Sequence, residues 1–123
     1  MKSFWFWMLA AIWLPPVLPT HAQELKVDRV GIITAGGPWY EVIDGLRAGL
    51  KQLGFEEGKQ FILAISDTKG DAKVAEEAAR KFEQEKVKLI YTTQTSVTIA
   101  AKRGTVEIPI IFCAGADPVD LGL

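Results

Sequence analysis

Four short apolar runs alternate with three stretches of helical period, and this alternation limits the possible fold more than any other feature of the chain. The runs are Arg29–Thr34 (RVGIIT), Phe61–Ser66 (FILAIS), Val87–Thr92 (VKLIYT) and Ile108–Phe112 (IPIIF). They are rich in β-branched residues and show little polar–apolar alternation, the pattern of parallel strands buried on both faces. After the first run, Trp39, Ile43, Leu46, Leu50 and Leu53 recur at spacings of 4, 3, 4 and 3, which places them on one face of a helix. Gly54 ends that helix, and Phe55 can reach back to Leu50, the contact of a Schellman motif. Asp71 is placed to cap a second helix, with Val74, Ala75, Ala78, Ala79 and Phe82 along its inner face. A third, shorter helix spans Ser96–Arg103 and stops at Gly104. Pro109 stands at the start of the fourth run, where a missing N–H is tolerated.

The element order is therefore βαβαβαβ. Right-handed crossovers convert this order into an α/β, doubly wound parallel sheet with helices on both faces, and the expected strand order is 2-1-3-4. Such a sheet binds ligands beyond the carboxyl ends of its strands, near the switch in strand order.

The first 22 residues stand outside this pattern. Lys2 gives a positive start, Phe4–Leu14 (FWFWMLAAIWL) is an uncharged apolar run, and Pro15, Pro16 and Pro19 follow it. Thr20-His21-Ala22 ends the segment with small residues at the two positions a signal peptidase inspects. The run is shorter than the roughly 20 apolar residues of a spanning helix. The expectation is a signal peptide, residues 1–22, cleaved after Ala22. The exported remainder, residues 23–123, then carries no membrane span and is periplasmic. It also loses three of its four tryptophans and keeps Trp39.

Charge and motif content narrow the chemistry. The net charge of −1 becomes −2 once Lys2 leaves with the signal, and acids and bases are interspersed; no nucleic-acid surface is expected. His21, the only histidine, lies in the signal. No nucleophile elbow, phosphate loop or metal-ligand cluster is present, so neither catalysis nor a cofactor is expected. Cys113 is the sole cysteine and lies in an apolar run, which predicts a small buried hydrophobe.

The candidate site residues fall in the loops that follow the strands. Gly37, Pro38 and Trp39 follow the first, Thr95 and Ser96 the third, and Asp117 the fourth. Two of these loops lead into helices whose free N–H groups can hold an anion such as a carboxylate. Thr95 and Ser96 also read as N-caps of the third helix. Asp67 and Asp71 read as turn and cap residues. Gly36-Gly37 lacks the spaced third glycine of a dinucleotide site.

Several stretches in order carry a resemblance. Arg29-Val30-Gly31-Ile32 is similar to an opening strand. Gly45-Leu46-Arg47-Ala48-Gly49-Leu50 and Leu53-Gly54-Phe55-Glu56-Glu57-Gly58 are similar to a first helix and its turn. Gly70-Asp71 and Ala100-Ala101-Lys102-Arg103 follow, and Asp117-Pro118-Val119 with Gly122-Leu123 is the most characteristic piece. Together they resemble the N-terminal part of ABC-transporter substrate-binding proteins of the tryptophan-binding-protein-like family, with the type I periplasmic binding protein fold. That family commonly reads Gly-Thr-Pro after its third strand; here Thr95 is flanked by Gln94 and Ser96. The resemblance implies a two-lobed protein that closes on a small, amino-acid-like solute and delivers it to ABC permease subunits. It also implies that residues 23–123 are a partial N-terminal lobe. The alternatives are a ligand-sensing input domain of a signalling receptor on the same fold, or an exported enzyme whose catalytic residues lie elsewhere.

Overall fold

The computed structural model describes residues 26–113 and 115–123; residues 1–25, with the expected signal segment 1–22, and Ala114 lie outside them. Four parallel strands form one sheet in the order β2-β1-β3-β4, as expected: β1 (Asp28–Thr34), β2 (Phe61–Asp67), β3 (Leu89–Thr92) and β4 (Ile110–Phe112). The register sets Val30 beside both Leu63 and Leu89, and Ile90 beside Ile110. Three helices connect them: α1 (Tyr40–Gln52), α2 (Ala72–Gln84) and α3 (Thr95–Gly104).

Alternation along β1 divides the core. Ile32 faces α1, where it meets Ile43, Phe61 and Leu63. Ile33 faces the other way, into a larger cluster with Ala75, Ala79 and Phe82 of α2, Ile90 of β3, and Val97, Ala100 and Ala101 of α3. Gly31 makes room for that second layer, since a Cβ there would lie 2.6 Å from the Phe82 ring.

The helix ends follow the sequence at two places and depart from it at a third. The N–H of Gly54 bonds to the carbonyl of Lys51 at 3.0 Å and that of Phe55 to Leu50 at 2.9 Å, with Gly54 at φ 87°. This is the Schellman pattern in full. Asp71 caps α2, accepting from the N–H of Lys73 at 2.8 Å and of Val74 at 3.1 Å. Val74 itself is exposed, one position off the buried stripe. Gly104 does not terminate α3 as a flexible stop; it is the last helical residue and lies against α2, where a Cβ would come within 2.8 Å of that of Ala79.

Candidate functional site

Four threonines and a glycine loop shape the carboxyl end of the sheet. β1 ends in Thr34, β3 in Thr92 followed by Thr93, and Thr68 follows β2; all four are buried. The Thr93 hydroxyl donates to Thr34 Oγ1 at 3.0 Å, and the N–H of Gly36 donates to the same oxygen at 3.2 Å. The Thr34 carbonyl accepts from the Thr68 N–H at 2.8 Å and from its hydroxyl at 3.0 Å. Beside them, the Thr92 and Thr98 hydroxyls share a bond of 2.7 Å. β-branched side chains favour the strand, and hydroxyls at strand ends give the loops something to bond to. These residues were not nominated from the sequence, although a threonine or serine closing successive apolar runs was the available signal.

The loop after β1 rises from this platform. Gly36 sits at φ 79°, ψ −166°, a region open essentially to glycine alone, and a Cβ there would strike the Asp67 carboxylate at 2.6 Å. Gly37–Trp39 forms one 3₁₀ turn that runs directly into α1. Gly37 and Pro38 are exposed and Trp39 is half-buried, so part of its ring surface remains available. Tyr40 then reaches across to β2, its hydroxyl donating to Asp67 Oδ2 at 3.1 Å. That bond to a carboxylate holds the phenolic proton and raises the Tyr40 pKa above the usual tyrosine value. Asp67 also accepts from the Lys69 N–H at 2.9 Å, as the turn reading expects.

The two helix N-termini nominated as anion sites differ. At α2 the first-turn donors are taken by Asp71. At α3 the capping position is held by Gln94, not Thr95 or Ser96, and Gln94 makes no side-chain cap bond. Thr95 and Ser96 already have helical geometry, because the extended Gln94 (φ −150°, ψ 148°) marks the change of direction. The N–H groups of that first turn therefore receive no side-chain acceptor from the cap. Thr95 is half-buried and Ser96 exposed, while the Gln94 amide oxygen is buried with no hydrogen-bond partner among the described residues.

Adjacent strands β1 and β3 thus bring Gly37, Pro38, Trp39, Thr95 and Ser96 to one end of the sheet. Asp117 lies in the loop after β4 at the same end; it is exposed, and its carboxylate accepts from the Val119 N–H at 2.9 Å, closing its own turn. Lys102 of α3 donates to the Gly122 carbonyl and ties the last turn to the helix. Cys113 departs from expectation: it is exposed, because it follows the short edge strand β4 instead of entering the core. Concavities with more apolar linings lie elsewhere. One of about 310 Å³ separates α1 from Tyr91 and Ile111, and one of about 460 Å³ lies between α3 and Phe112. Neither is lined by Gly37, Pro38, Trp39, Thr95, Ser96 or Asp117.

The model of the family described as ABC transporter substrate binding protein matches residues 29–123. The chain belongs to that family. The tyrosine-binding protein of Clostridioides difficile (strain R20291) is 33% identical over 79 residues, 64% of this chain and 23% of that protein. Among solved structures, the ligand-free, open form of a substrate binding protein with adhesive properties from Clostridium difficile aligns with a TM-score of 0.71. It is 28% identical, and the match covers 79% of this chain and 34% of that one. A Streptococcus pneumonia ABC domain in complex with L-Trp aligns at 0.70 and 19% identity, covering 79% and 33% of the two chains; it supports the fold. This family member therefore spans about a quarter to a third of the length of these relatives. Among its described residues no helix is long and apolar enough to cross a membrane.

Proposed function

We propose that the chain is the N-terminal part of an exported, periplasmic solute-binding protein that serves an ABC importer. It holds an amino-acid-like solute without covalent chemistry and without a cofactor. Family membership across residues 29–123 is the observation that carries this reading, and the relative named for tyrosine favours an aromatic amino acid. The rim geometry agrees with it. The first turn of α3 offers backbone N–H groups and the Thr95 and Ser96 hydroxyls to a carboxylate, with the helix dipole adding to the attraction. Trp39, on its rigid glycine–proline turn, covers an apolar part of the solute, and Asp117 reaches its amino group. A second lobe supplies the facing wall, and closure excludes water from both.

The test is titration with L-tyrosine, L-tryptophan and branched-chain amino acids, read by calorimetry, with protein tryptophan fluorescence as a check for the branched-chain solutes. A two-lobed form of the protein should bind one of them at micromolar concentration or tighter. The 123-residue chain should bind it at least a hundredfold more weakly, since each lost ~1.4 kcal/mol of contact is a factor of ten. If the two-lobed form binds none of these solutes, the amino-acid reading falls. If the short chain binds as tightly as the two-lobed form, the divided cleft falls instead.

A further inference from the structure

We propose that Thr34 is the positioning residue of this rim: it fixes the loops after β1, β2 and β3 relative to one another and so governs solute affinity without touching the solute. The inference rests on the rim being the binding wall, as argued above.

Four bonds converge on this residue, which is fully buried. Its hydroxyl oxygen accepts from Gly36 at 3.2 Å and from Thr93 at 3.0 Å, which uses both of a hydroxyl's acceptor sites. Its carbonyl accepts twice from Thr68, at 2.8 and 3.0 Å. Each partner opens a different loop. Gly36 is the positive-φ residue that opens the turn carrying Trp39. Thr68 begins the β2–α2 turn, and its hydroxyl in turn accepts from the Gly70 N–H at 3.3 Å. Thr93 immediately precedes Gln94, the cap position of α3. Strand pairing sets β1 between β2 and β3, so only a residue at the end of β1 can bond to both neighbours. A buried network of this kind holds its members in one arrangement when all are satisfied, and becomes costly when one partner is removed.

The contact across the rim between Tyr40 and Asp67 at 3.1 Å is exposed and joins only two of the loops. Thr34 joins all three from beneath.

The experiment compares Thr34→Val, which keeps the shape and removes the hydroxyl, with Thr34→Ser, which keeps the hydroxyl. Ile33→Val, a neighbouring core substitution on the same strand, serves as the control for lost stability. In the 123-residue protein, amide hydrogen exchange is followed at residues 35–39, 68–70 and 93–95. Thr34→Val should speed exchange at 35–39 and 93–95 together by tenfold or more and leave 68–70, which hang on the Thr34 carbonyl, protected; Thr34→Ser should restore protection, and Ile33→Val should leave 35–39 and 93–95 unlinked. In the form that binds L-tyrosine or L-tryptophan, Thr34→Val should weaken binding about tenfold and Thr34→Ser should recover it. Faster exchange at Gly36 alone, or affinity that follows global stability equally in Thr34→Val and Ile33→Val, would overturn the proposal. If no form binds either amino acid, the exchange pattern still decides whether Thr34 couples the loops, while the failure belongs to the functional reading. Should Thr34→Val not fold, Thr93→Val removes the β3 arm of the network and is read the same way: linked loss of protection at 35–39 and 93–95 supports the hub, and loss confined to 93–95 refutes it.

Discussion

Gly104 shows how much one side chain can decide. In sequence it reads as the glycine that stops a helix, yet it lies inside the last turn of α3 and against the backbone of Glu76 in α2. A Cβ there would lie 2.8 Å from that of Ala79, closer than two carbons in contact can sit. Gly104→Ala should therefore force α2 and α3 apart and destabilise the protein by about 1–3 kcal/mol, the usual range for overpacking. Urea denaturation checks this. An unchanged midpoint would mean that the helices have room to spare. Asp71 and Gln94 make the complementary point. Asp71 was legible as a cap because its side chain is short enough to reach the next turn. The capping position of α3 was not, because the adjacent Thr95 and Ser96 are better cap formers by composition, and only the backbone direction of Gln94 displaces them.

At the scale of elements, the end of α2 holds the connection from α3 to β4. The Glu83 carboxylate accepts from the Glu107 N–H at 2.9 Å and from the Val106 N–H at 3.1 and 3.3 Å. Those two bonds favour the ionised form, so its pKa is lowered below the usual glutamate value, the Glu107 contact contributing most and Val106 next. The sign follows from linkage. A carboxyl whose folded pKa is depressed stabilises the fold fully above the unfolded value, roughly pH 4.3, and loses that contribution as pH falls through the depressed value. Glu83→Gln should lower the denaturation midpoint at pH 7 and bring mutant and wild type closer at pH 3. Parallel melts at the two pH values measure it, and an equal gap at both would remove Glu83 from the account. The sequence suggested a loop of ordinary length here but not its anchor, since the partners are more than 20 residues apart and only α2–α3 packing brings them together.

At the scale of the whole molecule, two apolar regions among the described residues lie uncovered. α1 lies over β2 and β1, so the face it shares with Tyr91 and Ile111 stays open, with Ile111 52% exposed. β4, like β2, is an edge strand, and Phe112 on its other face is 36% exposed. Unpaired edge groups beside apolar side chains invite association, and a domain of this size has only about 5–15 kcal/mol of stability when complete. Residues 23–123 alone should bind an apolar dye, self-associate as their concentration rises, and unfold over a broad urea range. Ile111→Lys, which places a charge beside the open edge, should reduce the association. Sedimentation and dye fluorescence provide the measurements. A monomer with a sharp cooperative transition would show that the exposed surface is tolerated.

What the sequence determined by itself was the order of elements and most of their sides. Apolar runs without alternation required doubly covered strands, helical spacing required one buried face per helix, and right-handed crossovers between parallel strands allowed few sheets besides 2-1-3-4. It also marked the loops that gather at the carboxyl end of the sheet, because every strand of a parallel sheet points its carboxyl end the same way. Tertiary structure alone decided which residues meet there. Thr34, Thr68 and Thr93 come together because β1 lies between β2 and β3, and their bonds span up to 59 residues. Likewise, Cys113 is exposed although its local sequence is apolar, because it follows β4 at one edge of the sheet, and burial there depends on a neighbour beyond that edge, which the described residues do not supply.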